Sequence, residues 1–253
     1  MSFMQPKNSI IICGSKGYGK SLDEIVDSFG EIVRNNMLVS NMGYGKRESD
    51  LQILNCHVYD RRNQDDLSEY LKFTSEEVIK SFQSYVKTAK SQYKTFINNN
   101  TNLMKQLISK HSIPVTLTQE IRCGLSYVAQ AVAANLYPYM IGFSLTEQEN
   151  TRHKVNHLAL NASSHKIDVE IQLIIELHNK NLIDATLCAM MDTEDMELDC
   201  SVIQPKQYSI ELLVDLCGQV TLHNPQAPIT LSKGYEVSQG DSIVITPAKA
   251  DAK

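Results

Sequence analysis

The sequence contains no tryptophan, no CxxC pair and no excess of basic residues. Its 24 lysines and arginines stand against 29 aspartates and glutamates, so the net charge is −5 at pH 7. Such a chain lacks the broad positive field that holds a nucleic-acid backbone, and we expect no nucleic-acid partner. The six cysteines are scattered and no histidine cluster has metal-ligand spacing, which predicts reduced, mostly buried thiols and no bound metal.

Long apolar runs are also missing. No segment approaches the roughly 20 apolar residues of a membrane span, and the start, MSFMQPKNS, has no apolar run of signal-peptide length. We therefore expect a cytoplasmic protein with no transmembrane segment. At 253 residues, with 42% hydrophobic and 21% charged residues, the chain is long enough for one large globular domain, or for a main domain with a small appendage.

Short apolar runs alternate with helical patterns through most of the chain. The run SIIIC at 9–13 leads into a glycine-rich turn, as in a buried parallel strand that feeds a helix. Further strands are predicted at 31–34, 51–59 and 139–143, and helices at about 65–110, 123–136 and 167–179. This alternation predicts an α/β fold, a parallel sheet flanked by helices that is compatible with nucleotide binding.

The character of the sequence changes after Pro205. The segments YSIELLVDL, QVTLH, APITLS, YEVS and DSIVITP are typical of short β-type runs separated by Gly, Pro and Asn. We therefore divide the chain into a nucleotide-binding domain at 1–203 and a small β-rich C-terminal segment at 204–253.

The glycine-rich turn GSKGYGKS at 14–21 matches the phosphate-binding pattern GxxxxGK[ST], in which Lys20 would add charge and Ser21 would hold Mg²⁺. The rest of the chain fits this pattern poorly. No convincing apolar strand ends in an aspartate, and the nearest candidate is LCAMMD at 187–192. Asp23 and Glu24 would also bring negative charge close to a bound polyphosphate. A P-loop NTPase stays an alternative.

Three sequence motifs resemble those of the sialyltransferase family, and they occur in that family's order over about residues 9–185. The large sialylmotif is matched by Gly14-Ser15, Glu24 to Asp27, Val33 to Asn36, Gly45-Lys46 and Leu54-Asn55. The small sialylmotif is matched by Cys123-Gly124-Leu125, an alanine-rich stretch and Tyr139 to Phe143. The very short HxxxxE motif is matched by His165 to Glu170.

This resemblance implies a glycosyltransferase that moves a keto-acid sugar, sialic acid or Kdo, from its CMP conjugate to a glycan hydroxyl with inversion. It implies a variant Rossmann-type sheet, no metal or other cofactor, and a soluble bacterial-type enzyme, peripheral to the membrane, that acts on a lipopolysaccharide or capsule acceptor. His165 would be the general base, and Glu170 would brace the neighbouring helix and loop. The nucleotide donor would be bound by Gly14, Ser15, Asn36, Asn55, Gly124, His153 and His157.

Several features depart from that family's pattern, and one of them is that its aromatic third motif is not recognisable here beyond His153 and His157. Its secretory-pathway members join a cysteine at the start of the large motif to one in the small motif, but the matching positions here are Ile10 and about Tyr137, so the bridge is absent. The Ser or Thr of the small motif is replaced by Cys123. A further alternative is a non-catalytic assembly protein that keeps the nucleotide fold and uses its β-rich C-terminal segment for oligomerisation.

Overall fold

A four-stranded parallel sheet forms one half of the structure. Its strands, in the order β3-β2-β1-β4, are β1 (Ser9–Cys13), β2 (Ile32–Asn35), β3 (Leu51–Ile53) and β4 (Tyr137–Ile141). Helix α1 (Asp23–Ser28) lies between β1 and β2 in the chain. The structure is a computed structural model, and it describes residues 9–14, 22–35, 45–47, 51–53, 101–146, 167–191 and 196–249.

Helices cover one face of this sheet. They are α2 (residues 101–110), α3 (Cys123–Ala133) and α4 (Ile167–Asn179). Ile10 and Ile12 of β1 lie in the core beneath these helices, and neither is more than 2% exposed. Because both faces of β1 are covered, the strand carries an unbroken apolar run instead of an alternating one. The predicted α/β class is confirmed.

The opposite face packs against α1 and the C-terminal part of the chain. There a second sheet, in the order β5-β6-β8-β7, contains β5 (Glu197–Asp199), β6 (Val220–His223), β7 (Tyr235–Gln239) and β8 (Ile243–Pro247). Strand β5 pairs with β6 in parallel, and the other two pairings are antiparallel. Helix α5 (Gln207–Cys217) precedes β6, and its Ile210 and Leu213 lie in the same hydrophobic core as Ile11 of β1.

The prediction that residues 208–216 form a β-type run is wrong. This segment lies in α5, where Ile210, Leu213 and Val214 are buried. Their spacing of three and four residues brings them to one side of a helix. Gly218, with φ 82°, ends the helix in the left-handed conformation that glycine adopts without strain.

Two further segments do not form strands. Residues 187–192, which the sequence offers only as a poor candidate for a strand with a second Mg²⁺ ligand, begin in a 3₁₀ turn at Thr186–Ala189, and Asp192 lies outside the described residues. The run APITLS at 227–232 contains no regular secondary structure. The second sheet combines β5 with strands of the predicted C-terminal segment, and the boundary between residues 203 and 204 stays a prediction.

Several other predicted elements agree with the structure. Strands β1 and β2 and helices α3 and α4 lie close to where the pattern predicts them, and α2 ends before Pro114. Strand β4 ends at Ile141, so the last two residues of the predicted strand at 139–143 follow it. Residues 54–59 of the predicted third strand and 65–100 of the predicted long helix lie outside the described residues. Three cysteines, Cys13, Cys188 and Cys200, are buried, and Cys217 is exposed. Within the described ranges, no helix is both long and apolar enough to cross a membrane.

Candidate functional site

The carboxyl ends of β1, β2 and β4 lie side by side at one edge of the parallel sheet. Strand β1 is central, with β2 on one side and β4 on the other. In open parallel sheets, ligands bind outside the carboxyl ends of the strands, where the order of strands reverses. The residues at this edge are Gly14 after β1, Asn35 at the end of β2, and Gly142 and Phe143 after β4.

Gly14 joins the ends of β1 and β4. Its N–H donates to the Ile141 carbonyl at 2.7 Å. A Cβ at this position would lie 2.4 Å from the Gly142 carbonyl oxygen and 3.0 Å from the Phe143 ring. The approach of Gly142 is a backbone contact, so no side-chain rotation could relieve it. Glycine is therefore required here for packing.

Gly124 makes a similar close contact from the other side of Phe143. It lies in the first turn of α3, and a Cβ there would be 2.8 Å from the Phe143 ring and 3.1 Å from Asn35 Nδ2. The half-buried Phe143 ring thus touches both glycines that the sequence predicts for nucleotide binding. No side chain caps α3 at Arg122. The N–H of Gly124 is among those at a helix start that no carbonyl of the same helix can accept.

Asn35 completes this edge with a side chain that is 3% exposed. Its Nδ2 donates to the Cys13 carbonyl at 2.9 Å, which ties the end of β2 to the end of β1. Its Oδ1 is buried and has no hydrogen-bond partner in the part of the chain that the structure describes. Buried polar atoms without partners are rare in native proteins and often mark functional positions.

Glu170 links the very short motif to the start of α3. It is 3% exposed, and its Oε1 accepts a hydrogen bond from the Arg122 backbone N–H at 2.8 Å. Its Oε2 forms an ion pair with Arg122 Nε. These contacts hold the start of α4 against the start of α3, as the bracing role predicted for Glu170 requires.

The acids of α1 hold a loop of the large motif. Asp23 is 3% exposed and accepts the Gly45 N–H at 2.8 Å. The Asp27 carboxylate accepts the Lys46 N–H at 2.8 Å and the Arg47 N–H at 2.9 Å. These bonds join two parts of the motif that lie about 20 residues apart in the chain. Asp23, which the sequence sets close to any phosphate at the glycine turn, instead accepts the backbone N–H of Gly45.

The structure describes two of the predicted site residues, Gly14 and Gly124, and brings them together. The other predicted site residues, and Lys20 and Ser21 of the P-loop alternative, lie outside the described residues: Ser15, Lys20, Ser21, Asn36, Asn55, His153, His157 and His165. Their roles stay predictions. The sequence singles out neither Phe143 nor Asn35 as a site residue. The contacts of both residues become visible only when it is known that β1 pairs with β2 and β4.

The P-loop alternative requires a carboxylate at the end of a strand close to β1. Strand β2 ends in Arg34 and Asn35, and β4 is followed by Gly142 and Phe143. Neither neighbour of β1 supplies that ligand. Among the residues described, no group of three or more His, Cys, Asp or Glu side chains is arranged to hold a metal ion.

A second polar cluster lies at the amino end of β4. Lys206 Nζ donates to the Tyr137 hydroxyl at 2.7 Å and to the Ile183 carbonyl at 2.5 Å. Burial lowers the pKa of Lys206 to about 8. The Tyr137 hydroxyl also bonds to that of Tyr208, and burial raises the pKa of Tyr137. These contacts attach α5 to the first sheet.

Asp184 is the acidic centre of this cluster. The carboxylate is fully buried and accepts hydrogen bonds from Ser209 Oγ and, at 2.8 Å, from the Thr186 N–H. His178 Nδ1 lies 3.9 Å away. That nitrogen accepts the Ala185 N–H at 3.1 Å, while Nε2 bonds to the Gln204 carbonyl at 2.8 Å. The ring is therefore neutral in this arrangement, and burial lowers its pKa.

Comparisons of this chain with protein-family models, curated proteins and solved structures find no match.

Proposed function

We propose that the chain is a glycosyltransferase, similar to sialyltransferases, that moves sialic acid or Kdo from its CMP conjugate to a glycan hydroxyl. The observation that carries the proposal is the meeting of Gly14 and Gly124 on the Phe143 ring. These glycines belong to different motifs that lie far apart in the sequence. A fold that brings both to the ligand-binding edge of a parallel sheet suits a shared nucleotide site.

The arrangement of strands supports the proposal. The order β3-β2-β1-β4, with every pairing parallel, suits a variant Rossmann-type sheet. Ile10 pairs with Pro138, which adjoins Tyr137. The two positions that match the bridged cysteines of secretory sialyltransferases therefore lie on adjacent strands, as the resemblance requires.

The link between Glu170 and Arg122 also supports the proposal. Glu170 ends the very short motif and Arg122 directly precedes the small motif, so their contact joins the two. His165 comes two positions before the start of α4 in the sequence. In the proposed reaction, His165 takes the acceptor hydroxyl's proton while that oxygen bonds to C2 of the sugar and the C2 bond to the phosphate oxygen breaks. A base of this kind contributes roughly 10²- to 10⁴-fold.

The leaving CMP carries away the electron pair and the charge of the broken bond. The uncapped start of α3 offers backbone N–H groups and the positive end of a helix dipole to that phosphate. Ser15, Asn36, Asn55, His153 and His157 are proposed to complete the nucleotide site. Displacement in one step inverts the anomeric carbon. The reaction as proposed needs no metal, and the enzyme would work in the cytoplasm on a lipopolysaccharide or capsule acceptor.

Thermal-shift measurements with CMP, ATP and GTP, each with and without Mg²⁺, test the proposal. We expect CMP to stabilise the protein to the same extent with and without Mg²⁺. Mg²⁺-dependent stabilisation by ATP or GTP would instead favour the P-loop alternative. No stabilisation by any of the three would favour the assembly alternative.

Two substitutions separate the roles within the chain. Replacing Lys20 with Ala should leave CMP binding intact, whereas a P-loop NTPase would lose triphosphate binding. The change His165→Ala should lower turnover by about 10²-fold or more with little change in CMP affinity. The matched variant His111→Ala should transfer sugar at the normal rate. Full activity of His165→Ala would reject this residue as the base.

A further inference from the structure

The Asn35 side chain presents a hydrogen-bond acceptor at the carboxyl edge of the first sheet. Its bond to the Cys13 carbonyl fixes the orientation of the amide, because a carbonyl oxygen can only accept and the NH₂ group must face it. The atom left over is therefore Oδ1, an acceptor. It is buried and, among the described residues, has no donor. A ligand that satisfies this atom must supply an N–H or O–H group.

The neighbours of Asn35 indicate which part of a ligand comes near. Its Nδ2 lies beside Gly124, in the first turn of α3, where a phosphate is favoured. Asn35 also ends the strand adjacent to β1, about 20 residues after Gly14 in the chain. In nucleotide-binding α/β folds, a side chain at this place accepts a hydrogen bond from a ribose hydroxyl. The ribose is the part of a nucleotide that lies next to its phosphate.

Resting on the proposed function, we propose that Asn35 Oδ1 accepts a hydrogen bond from a ribose hydroxyl of the cytidine nucleotide. An amide suits this donor better than a carboxylate. A CMP-linked keto-acid sugar carries negative charge on both its phosphate and its sugar carboxylate, and a third negative charge close by would repel it. Asn35 is thus a specificity residue for ribonucleotides.

The test measures the dissociation constants of CMP, 2′-deoxy-CMP and 3′-deoxy-CMP by calorimetry for the wild type and for Asn35→Leu. We expect the wild type to bind one deoxynucleotide about 3- to 10-fold more weakly than CMP, as for loss of a neutral hydrogen bond. The nucleotide affected identifies the hydroxyl. Asn35→Leu should bind all three equally. Asn179→Leu, an exposed change at the far end of α4, should discriminate like the wild type.

The outcomes distinguish this inference from the proposed function. If Asn35→Leu discriminates against the deoxynucleotide as strongly as the wild type, the inference is wrong and the transferase proposal stands. The same holds if the wild type binds all three nucleotides equally. If the wild type binds none of them, the proposed function is wrong, and the inference fails with it.

Two additional measurements cover the case in which Asn35→Leu does not fold. Asn35→Asp keeps acceptor oxygens and should retain the preference for the ribose hydroxyl, while binding CMP more weakly because of its charge. In the wild type, the ¹³C resonance of the Asn35 side-chain carbonyl should shift with CMP and shift less with the discriminated deoxynucleotide. Equal shifts with both would overturn the inference.

Discussion

The two ends of strand β4 use polar and aromatic groups in opposite ways. At the amino end, Tyr137, Lys206 and Asp184 bind other side chains and backbone carbonyl or N–H groups of the protein. At the carboxyl end, the half-buried Phe143 ring lies against two glycines, and Asn35 Oδ1 is buried without a donor in the described residues. The first arrangement uses its hydrogen bonds for stability, and the second leaves capacity for a ligand. The strand therefore separates a structural end from the end that we propose to bind the nucleotide, the binding end.

Asp184 should give the largest effect on the stability of the structural end. Replacing it with Asn removes the buried charge that stabilises protonated Lys206 and weakens the bonds from Ser209 and Thr186. Removing the charge from two buried hydrogen bonds, each worth about 1.5–3 kcal/mol, costs about 3–5 kcal/mol in all. Urea unfolding measures the loss. The exposed Asp215→Asn should cost less than about 1 kcal/mol, and an equally small loss for Asp184→Asn would contradict the comparison.

Gly14→Ala should damage the binding end. The added Cβ would meet the Gly142 carbonyl oxygen at 2.4 Å, so the ends of β1 and β4 must separate. Overpacking of this kind costs about 1–3 kcal/mol, and CMP binding should fall with it. Gly30→Ala is the matched control, because nothing lies within 4 Å of its new Cβ. If both variants unfold at the same urea concentration and bind CMP alike, the close approach of Gly14 to Gly142 matters neither for stability nor for binding.

His178 should make the structural end sensitive to acid. Burial, and then the positive charge of Lys206, lowers the pKa of this residue below its ordinary value of 6.5. The unfolded chain thus binds a proton that the folded chain does not, and stability falls as the pH drops below about 6.5. The slope is at most about 1.4 kcal/mol per pH unit. Unfolding midpoints between pH 5 and 7 should depend less on pH in His178→Gln than in the wild type or in His111→Gln.

Glu170→Gln should give the smallest loss of stability, and its effect on CMP affinity tests whether the contact with Arg122 belongs to the binding end. The variant keeps an acceptor for the Arg122 N–H and loses the ion pair with the guanidinium, which is 29% exposed. Because that charge is partly solvated, we expect a loss of about 0.5–1 kcal/mol together with a several-fold weaker CMP affinity, measured by calorimetry. Glu176→Gln, a partly exposed change in α4, should alter neither. If Glu170→Gln binds CMP as tightly as the wild type, the contact between Glu170 and Arg122 does not support the nucleotide site.

The sequence predicts the elements of the first sheet better than those of the C-terminal part. The apolar run IIIC at 10–13 is short and unbroken, and Gly14 follows it, so a local pattern is sufficient to predict this strand. The β-type prediction for residues 208–216 is wrong because apolar residues are nearly continuous there, and such a run fits a buried strand as well as a helix. Only the burial of Ile210, Leu213 and Val214 on one side reveals the helix. Short apolar runs are ambiguous between strand and helix for this reason.

The residues of the candidate site that belong to a sequence motif could be predicted. The contacts that depend on strand pairing could not. The motifs identify Gly14 and Gly124 as site residues, and they predict that Glu170 braces the neighbouring helix and loop. The contact of both glycines with Phe143 depends on β1 pairing with β4. The open acceptor of Asn35 depends on which carbonyl its NH₂ group meets. Neither fact is encoded by nearby residues, so no local pattern could supply it.

The core shared by α5 and the first sheet limits how the chain can be shortened. Ile210 and Leu213 fill the space above Ile11 and Tyr139. A version cut after residue 203 would uncover that side of the sheet to solvent, and such a large apolar surface promotes aggregation. A purification tag or fusion partner is therefore better attached beyond the exposed Lys249 than substituted for the last fifty or so residues.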